Sequence, residues 1–214
     1  IMLLLPLTIL FPLVMAFVCF LMGRKCKKVR DMLVGITGML TFALCLFAWN
    51  KPLSFSFEGV LGMGIHLKAD GFRSLYALIA AFMWMMTGLF SPEYFAHHHK
   101  RNRYYFFNLL TLSATLGVLF SDNLFTTFIF FEIMSLASYV WVAQEETPEA
   151  LRAAGTYLAV AIIGGLATLM GLFMLYQQLG TLSFDGLQAA KAAHSGDMAV
   201  AVWLTVAGFA AKAG

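Results

Sequence analysis

Two ionisable residues of opposite charge lie inside apolar stretches of this sequence. Glu132 is the one acid in FIFFEIMSLASYVWVA, which runs from Phe128 to Ala143, and Lys212 lies in the last apolar run. A charged side chain at the centre of a membrane helix costs about 3 kcal/mol on insertion scales. Two opposite charges on separate segments therefore predict an ion pair, because pairing offsets part of the desolvation cost.

Such a pair has two interpretations. As a structural clasp, it would stay ionised and join two helices. As a proton site, its lysine would alternate between charged and neutral forms, because burial disfavours an ammonium and a neighbouring carboxylate favours it. Intramembrane acid–base pairs commonly mark proton relays, so we favour a proton-translocation site formed by Glu132 and Lys212.

Further polar side chains could extend a path from this pair. Ser135 and Tyr139 follow Glu132 by three and seven residues, which places them near its face of a helix. The other candidates for a polar path lie on neighbouring apolar segments: Asn108, Thr111 and Thr156. Hydroxyls in such segments can equally bond the backbone of their own helix.

Metal and cofactor chemistry has little support in the sequence. The three cysteines lack the spacing of a zinc or iron–sulfur site. His97–His99 could chelate a metal, but they adjoin basic residues, and a solvated basic loop is the favoured interpretation. No histidine lies in a predicted span to hold haem, and no Gly-rich phosphate loop is present. We expect no cofactor and no metal in this chain.

The composition is that of a membrane protein. Hydrophobic residues make up 61% of the chain and charged residues 12%, and apolar runs approach the roughly 20 residues that cross a bilayer. The runs predict an all-α membrane protein of about seven transmembrane helices, near residues 1–22, 31–49, 72–90, 104–120, 124–143, 153–176 and 198–214. We treat them as one membrane domain. The last run is short, so we expect an intact subunit heavier than 23.7 kDa.

Basic residues predict the orientation in the membrane. Loops after the first, third and fifth runs hold nine Lys and Arg residues, and the opposite loops hold four. The positive-inside rule then places the N-terminus outside a cytoplasmic membrane, which we favour over the mitochondrial inner membrane. The net charge of +3 reflects this topology and does not indicate nucleic-acid binding.

A short hairpin is predicted between the second and third runs. LSFSFEG alternates apolar and polar residues, three glycines follow, and IHLKADG gives a second extended piece. This pattern is typical of a β-hairpin on the outer face, with an irregular loop as the alternative.

Several segments resemble one known family. FFEIMSLASYVWV is similar to the fifth-span signature of the antiporter-like subunits, which occur in respiratory complex I, multisubunit Na+/H+ antiporters and membrane-bound energy-converting hydrogenases. RAAGTYLAVAIIGGLATLMGLFMLY resembles their sixth span, LKADGFRSLYALI the approach to the third, and GFAAKAG the middle of a broken seventh helix. The resemblance covers nearly the whole chain in order.

The resemblance implies a role for the charged pair. Glu132 and Lys212 match the acid and the lysine of the family's first half-channel. The family's path is completed by a second inverted repeat, and this chain matches only the first part of that fold. The resemblance also implies that the hairpin links neighbouring subunits.

We therefore expect a membrane subunit that contributes a proton half-channel to a redox-driven pump or a cation/proton antiporter. Without a redox centre of its own, the chain would serve a translocating oxidoreductase of the NADH/quinone or hydrogenase type. The expected partners are other integral membrane subunits, including further antiporter-like ones, and protons. The alternatives are Na+ handling, a structural anchor for partner subunits and, with the weakest support, a quinone- or haem-reactive enzyme.

Overall fold

The computed structural model of the protein describes residues 3–59, 62–95, 100–193 and 198–213. These residues form eight helices and one two-stranded sheet, so the predicted all-α class is confirmed. In chain order the elements are α1 (Leu4–Lys25), α2 (Lys27–Ala48), β1 (Leu53–Phe57), β2 (Ile65–Ala69), α3 (Gly71–Tyr94), α4 (Arg101–Leu119), α5 (Leu124–Val142), α6 (Pro148–Leu179), α7 (Phe184–Ala193) and α8 (Ala199–Ala213).

Five of these helices are long and apolar enough to cross a membrane: α1, α2, α3, α5 and α6. The other two predicted spans correspond to α4 and α8. The polar residues of α4 lower its hydropathy, and the 15 residues of α8 extend about 22 Å, less than a hydrocarbon core of about 30 Å. The predicted number of about seven spans is therefore approximate.

The predicted hairpin is confirmed, because β1 and β2 pair in a two-stranded sheet. Two predicted loops are wrong. The basic loop after the first span consists of helix ends, since α1 continues to Lys25 and α2 begins at Lys27. The loop before the last span contains α7, whose Asp185 and Lys191 lie in its first and last turns and suit the helix dipole. His97–His99 lie outside the described residues.

The chain divides into two compact units. Unit 1 comprises Ile1–Phe55 and Leu67–Phe120, and unit 2 comprises Ser56–His66 and Ser121–Gly214. In unit 1, α1 packs against α2 and α4, and α3 packs against α2 and α4. Many residues of α4 are buried, so protein surrounds the polar groups that make this helix unsuited to face lipid.

Unit 1 also contains a buried ion cluster near the junction of α1 and α2. Arg30 is 2% exposed, and its guanidinium donates from Nε and Nη2 to Asp31 Oδ1 at 2.9 and 2.5 Å. Arg101 lies 3.5 Å from the other oxygen of Asp31. The guanidinium of Arg30 also lies over the Tyr105 ring, 4.9 Å from its centroid. Arg30, which the sequence placed in the basic loop after the first span, is therefore internal to unit 1.

Unit 2 contains α5, α6, α7 and α8, and its helix ends follow the local sequence. The Thr147 hydroxyl caps α6 by accepting a hydrogen bond from the Ala150 amide at 3.1 Å, and Pro148 occupies the first turn, where its missing N–H costs nothing. Gly180 ends α6 with a φ of 71°, a left-handed conformation that glycine adopts without strain. Helix α6 packs against α5, α7 and α8.

The contact between α6 and α8 depends on glycines. A Cβ added at Gly171 would lie 2.7 Å from the Thr205 amide nitrogen and 2.8 Å from the Ala201 carbonyl oxygen. One added at Gly208 would lie 2.5 Å from the Gly164 carbonyl oxygen. Small residues allow helix backbones to approach closely in membrane proteins. The position of α8 is therefore set by backbone contact with α6.

Replacing Gly171 with Ala should lower the stability of the complete subunit by about 1–3 kcal/mol, the usual cost of overpacking. The new methyl group would meet backbone atoms of α8, which cannot move away as a flexible side chain would. Gly155→Ala is the matched control on α6, because a Cβ there has no neighbour within 4 Å. It should be neutral or stabilising by up to about 1 kcal/mol. Unfolding in detergent micelles measures both variants, and equal effects would contradict the packing argument.

Candidate functional site

Two helices of unit 2 carry the predicted charged pair. Glu132 lies near the middle of α5, and Lys212 lies in the last turn of α8. The start of α5 is fixed by Asn123, whose Oδ1 accepts a hydrogen bond from the Thr126 amide at 2.6 Å. The amide of Leu124, the residue that follows Asn123, donates to the Leu182 carbonyl at 3.0 Å. The first turn of α5 is therefore held in place, and with it the helix that carries the Glu132 carboxylate.

Lys212 and Glu132 are in direct contact. The ammonium Nζ donates a hydrogen bond to Glu132 Oε1, and the two groups form a salt bridge. The Lys212 side chain is 1% exposed and the Glu132 side chain 24% exposed. The expected pairing is thus present in the structure, with the base more deeply enclosed than the acid.

Helix α6 provides the surface on which the pair lies. A Cβ added at Gly165 would be 2.6 Å from Glu132 Oε1, and one added at Gly164 would be 3.4 Å from Lys212 Cγ. Both glycines therefore leave space that the two charged side chains occupy. The Phe131 ring lies next to the lysine end of the pair, with its centroid 5.6 Å from Lys212 Nζ. Because the Lys212 side chain is enclosed by protein, the attraction between the two charges is less screened than at a fully exposed surface.

A hydroxyl cluster lies beside the pair, one turn along α5 from Glu132. The Tyr157 hydroxyl is 2.7 Å from Ser138 Oγ and donates to the Ser135 carbonyl at 3.3 Å. Ser138 Oγ lies 3.0 Å from the same carbonyl and can donate to it when Tyr157 donates to Ser138 instead. These bonds join α5 to α6 through side chains.

A cavity of about 210 Å³ adjoins both the hydroxyl cluster and the lysine. Its lining residues are Ser135, Thr156, Tyr157, Val160, Ala161, Ala211 and Lys212. Two of the predicted polar-path residues, Ser135 and Thr156, therefore border the same space as Lys212. Tyr139 does not line this cavity.

The remaining candidates for the polar path, Asn108 and Thr111, lie on α4 in unit 1. The Thr111 hydroxyl donates to the Phe107 carbonyl of its own helix at 2.8 Å, as the backbone-bonding alternative predicted. The Asn108 carbonyl accepts a hydrogen bond from Trp84 Nε1 at 3.1 Å. A role for these two residues in proton transfer stays a prediction.

Tyr157 was not among the predicted site residues. Its signal in the sequence is the pair Thr156-Tyr157 within the apolar run that became α6. A polar residue on an otherwise apolar helix, like a charged one, indicates a contact with a polar partner.

The arrangement can bind and exchange a proton. The Lys212 ammonium can donate a proton to the Glu132 carboxylate, which leaves a neutral amine and a carboxylic acid, and the reverse transfer restores the charges. Both neutral and ionic forms keep one hydrogen bond between the groups, so the pair can hold its geometry in either form. Such a pair can also serve as a structural clasp.

The C-terminal part of the chain matches a known family. Residues 121–214 match the family described as NADH:quinone oxidoreductase/Mrp antiporter, TM. A protein named "Putative antiporter subunit mnhD2" from Staphylococcus haemolyticus is 32% identical over 189 residues, covering 85% of this chain and 38% of that relative. Its namesake from Staphylococcus aureus (strain MRSA252) is 28% identical over 188 residues, covering 83% of this chain and 37% of that protein. The chain thus spans under two fifths of the length of these relatives.

Solved structures share the fold. A chain of the membrane-bound sulfane sulfur reductase, an archaeal respiratory membrane complex, superposes with a TM-score of 0.83 at 24% identity, over 96% of this chain and 44% of that chain. A chain of respiratory complex I from Thermus thermophilus with bound NADH gives a TM-score of 0.77 at 20% identity, over 97% of this chain and 43% of that one.

The fold and the matches define a class, that of multi-pass membrane proteins with an antiporter-like architecture. Within that class the matches support the antiporter-like subunit family, in agreement with the resemblance seen in the sequence.

A double-mutant cycle should detect the contact between the two charges. Glu132→Gln and Lys212→Gln should each destabilise the complete subunit, and the double variant should be more stable than the sum of the two losses by about 0.5–3 kcal/mol. The reason is that each single change leaves one charge without its partner, buried at Lys212 and partly buried at Glu132. Unfolding in detergent micelles measures all four proteins.

Asp70 and Arg73 provide the control cycle. Their side chains are 43% and 18% exposed and 2.9 Å apart, so their coupling should stay below about 1 kcal/mol. Equal coupling in the two cycles would contradict an enclosed, weakly screened contact between Glu132 and Lys212.

Proposed function

We propose that Glu132 and Lys212 form the proton-exchanging site of a half-channel within an antiporter-like subunit. The observation that carries this proposal is the direct ion pair between a lysine whose side chain is 1% exposed and a carboxylate on a neighbouring helix. Enclosed ionisable residues in membrane proteins are costly and usually functional, and proton relays are a common reason for them.

The proposed cycle uses the change in separation between the two groups. In contact, the carboxylate favours the charged ammonium. When the carboxylate moves away, burial favours the neutral amine, and the proton leaves Lys212 Nζ for the next acceptor. Glu132 can move without a change in backbone, because its side chain has three rotatable bonds and lies against the bare backbone of Gly165.

The proposal extends to the assembly that contains the subunit. The matched relatives are named as antiporter subunits, and the matched structures come from respiratory complexes. We therefore propose a multisubunit cation/proton antiporter or a redox-driven pump, with other integral membrane subunits as partners. The proposed location is the cytoplasmic membrane, with the N-terminus outside.

Replacing Lys212 should impair ion movement by the complete assembly. Lys212→Ala cannot hold the proton, and Lys212→Arg keeps its charge but does not release a proton at accessible pH. Both variants should lower proton uptake into vesicles at least 10-fold, while electron transfer or assembly by partner subunits is retained in part. Lys191→Ala, at an exposed lysine of α7, is the matched control and should transport normally.

The same measurement separates the alternatives. Normal proton uptake with Lys212→Arg would show that only the positive charge is needed, and the relay role would be wrong. Full activity with Glu132→Gln in an intact assembly would favour a structural anchor. If a Lys212 variant loses Na+ movement but keeps proton movement, the result would favour Na+ handling.

A further inference from the structure

We propose that Tyr157 is a positioning residue for proton exchange at Lys212. Its hydroxyl would hold α5 against α6 beside the ion pair and, with two neighbouring hydroxyl side chains, would order water in the cavity that adjoins the lysine. This inference rests on the proposed proton function and names a residue and a water site that deepen it.

The position of Tyr157 supports the first part. Its hydroxyl is 2.7 Å from Ser138 Oγ and 3.3 Å from the Ser135 carbonyl oxygen. Both partners lie on α5, in the turns that follow Glu132. Gly165, two turns further along α6, is in contact with the Glu132 carboxylate. Helix α6 therefore holds α5 at two places, through a hydroxyl at one and through close backbone approach at the other.

The enclosure of Lys212 supports the second part. Its side chain is 1% exposed, so its ammonium meets water either by way of Glu132 or through the cavity of about 210 Å³ on which it borders. That volume holds several water molecules, each of which needs two to four polar partners. Val160, Ala161 and Ala211 give the cavity apolar walls. The polar partners among its lining side chains are the hydroxyls of Ser135, Thr156 and Tyr157, together with Lys212 itself.

The three hydroxyls that line the cavity differ in whether their protons are already used in hydrogen bonds to the protein. Ser135 Oγ donates to the Phe131 carbonyl at 2.8 Å, and Thr156 Oγ1 donates to the Arg152 carbonyl at 3.2 Å. Each of these can therefore only accept a hydrogen bond from water. The Tyr157 hydroxyl has one proton, and its bond with Ser138 can form in either direction. When Ser138 Oγ donates to Tyr157, the Tyr157 proton can turn from the Ser135 carbonyl to a water molecule. Tyr157 is thus the lining hydroxyl that can donate to water and still keep a hydrogen bond to α5.

The first test removes only this hydroxyl. Tyr157→Phe in the complete assembly should lower proton uptake into vesicles about 2- to 10-fold, the factor expected for one net hydrogen bond, and should displace the pH profile of uptake. The control is Tyr176→Phe on the same helix, whose ring packs against the cluster around Phe125 and Leu172. Unchanged rate and pH profile with Tyr157→Phe, or an equal loss with Tyr176→Phe, would overturn the proposal.

The second test measures water access without transport. In a Cys26→Ser background, Ala161→Cys places a thiol one turn from Tyr157 on the cavity wall, and a small charged thiol reagent should label it, as located by peptide mass mapping. Ala137→Cys is the control, because Ala137 is 2% exposed and does not line the cavity. Adding Tyr157→Phe should change the labelling rate at Ala161→Cys several-fold.

The outcomes distinguish this inference from the function on which it rests. Suppose that the Ala161→Cys thiol is as inert to the reagent as the Ala137→Cys control, while Lys212→Ala still impairs proton uptake. This result would overturn the role of the cavity and of Tyr157 but leave the proposed proton function standing. Normal proton uptake by Lys212→Ala would overturn the proton function, and this inference with it.

Discussion

The contact between the Glu132 carboxylate and the Lys212 ammonium requires three helices of unit 2 to meet at one place. Helix α5 supplies the acid and α8 the base, and α6 supplies glycine backbone against both. Neither charge is stable in an apolar interior without the other, because an uncompensated buried ion costs several kcal/mol. The glycines of α6, the Phe131 ring and the hydroxyl cluster can all be understood as conditions for bringing these two groups together.

Unit 1 shows a different way of enclosing charge. Arg30 binds Asp31 through two nitrogens and lies over the Tyr105 ring. Guanidinium groups stay protonated in proteins, so an arginine of this kind suits a structural role. Lys212 has an ammonium instead, the basic group that proteins use where a proton must be given up and taken back. The difference in base is consistent with a structural clasp in unit 1 and with the proton exchange that we propose for unit 2.

The sequence predicted those features that depend on composition along the chain. A lone acid and a lone lysine in apolar runs identified Glu132 and Lys212, and alternation with glycines identified the hairpin. The sequence could not predict features that depend on how one helix is rotated against its neighbour. Period and hydropathy could not show that Arg30 is internal, that Tyr157 faces α5 or that a cavity adjoins Lys212, because each requires the packing of a second helix. The roles of the predicted site residues stay predictions.

The glycine contact between α6 and α8 has a genetic consequence. Every missense change in a glycine codon adds at least a Cβ, so no conservative replacement exists at Gly171 or Gly208, where that atom would meet the backbone of the opposite helix. A damaging allele at either position would displace the helix that carries Lys212 while leaving both charged residues intact. Loss-of-function variants should therefore accumulate at glycines that have no polar chemistry of their own.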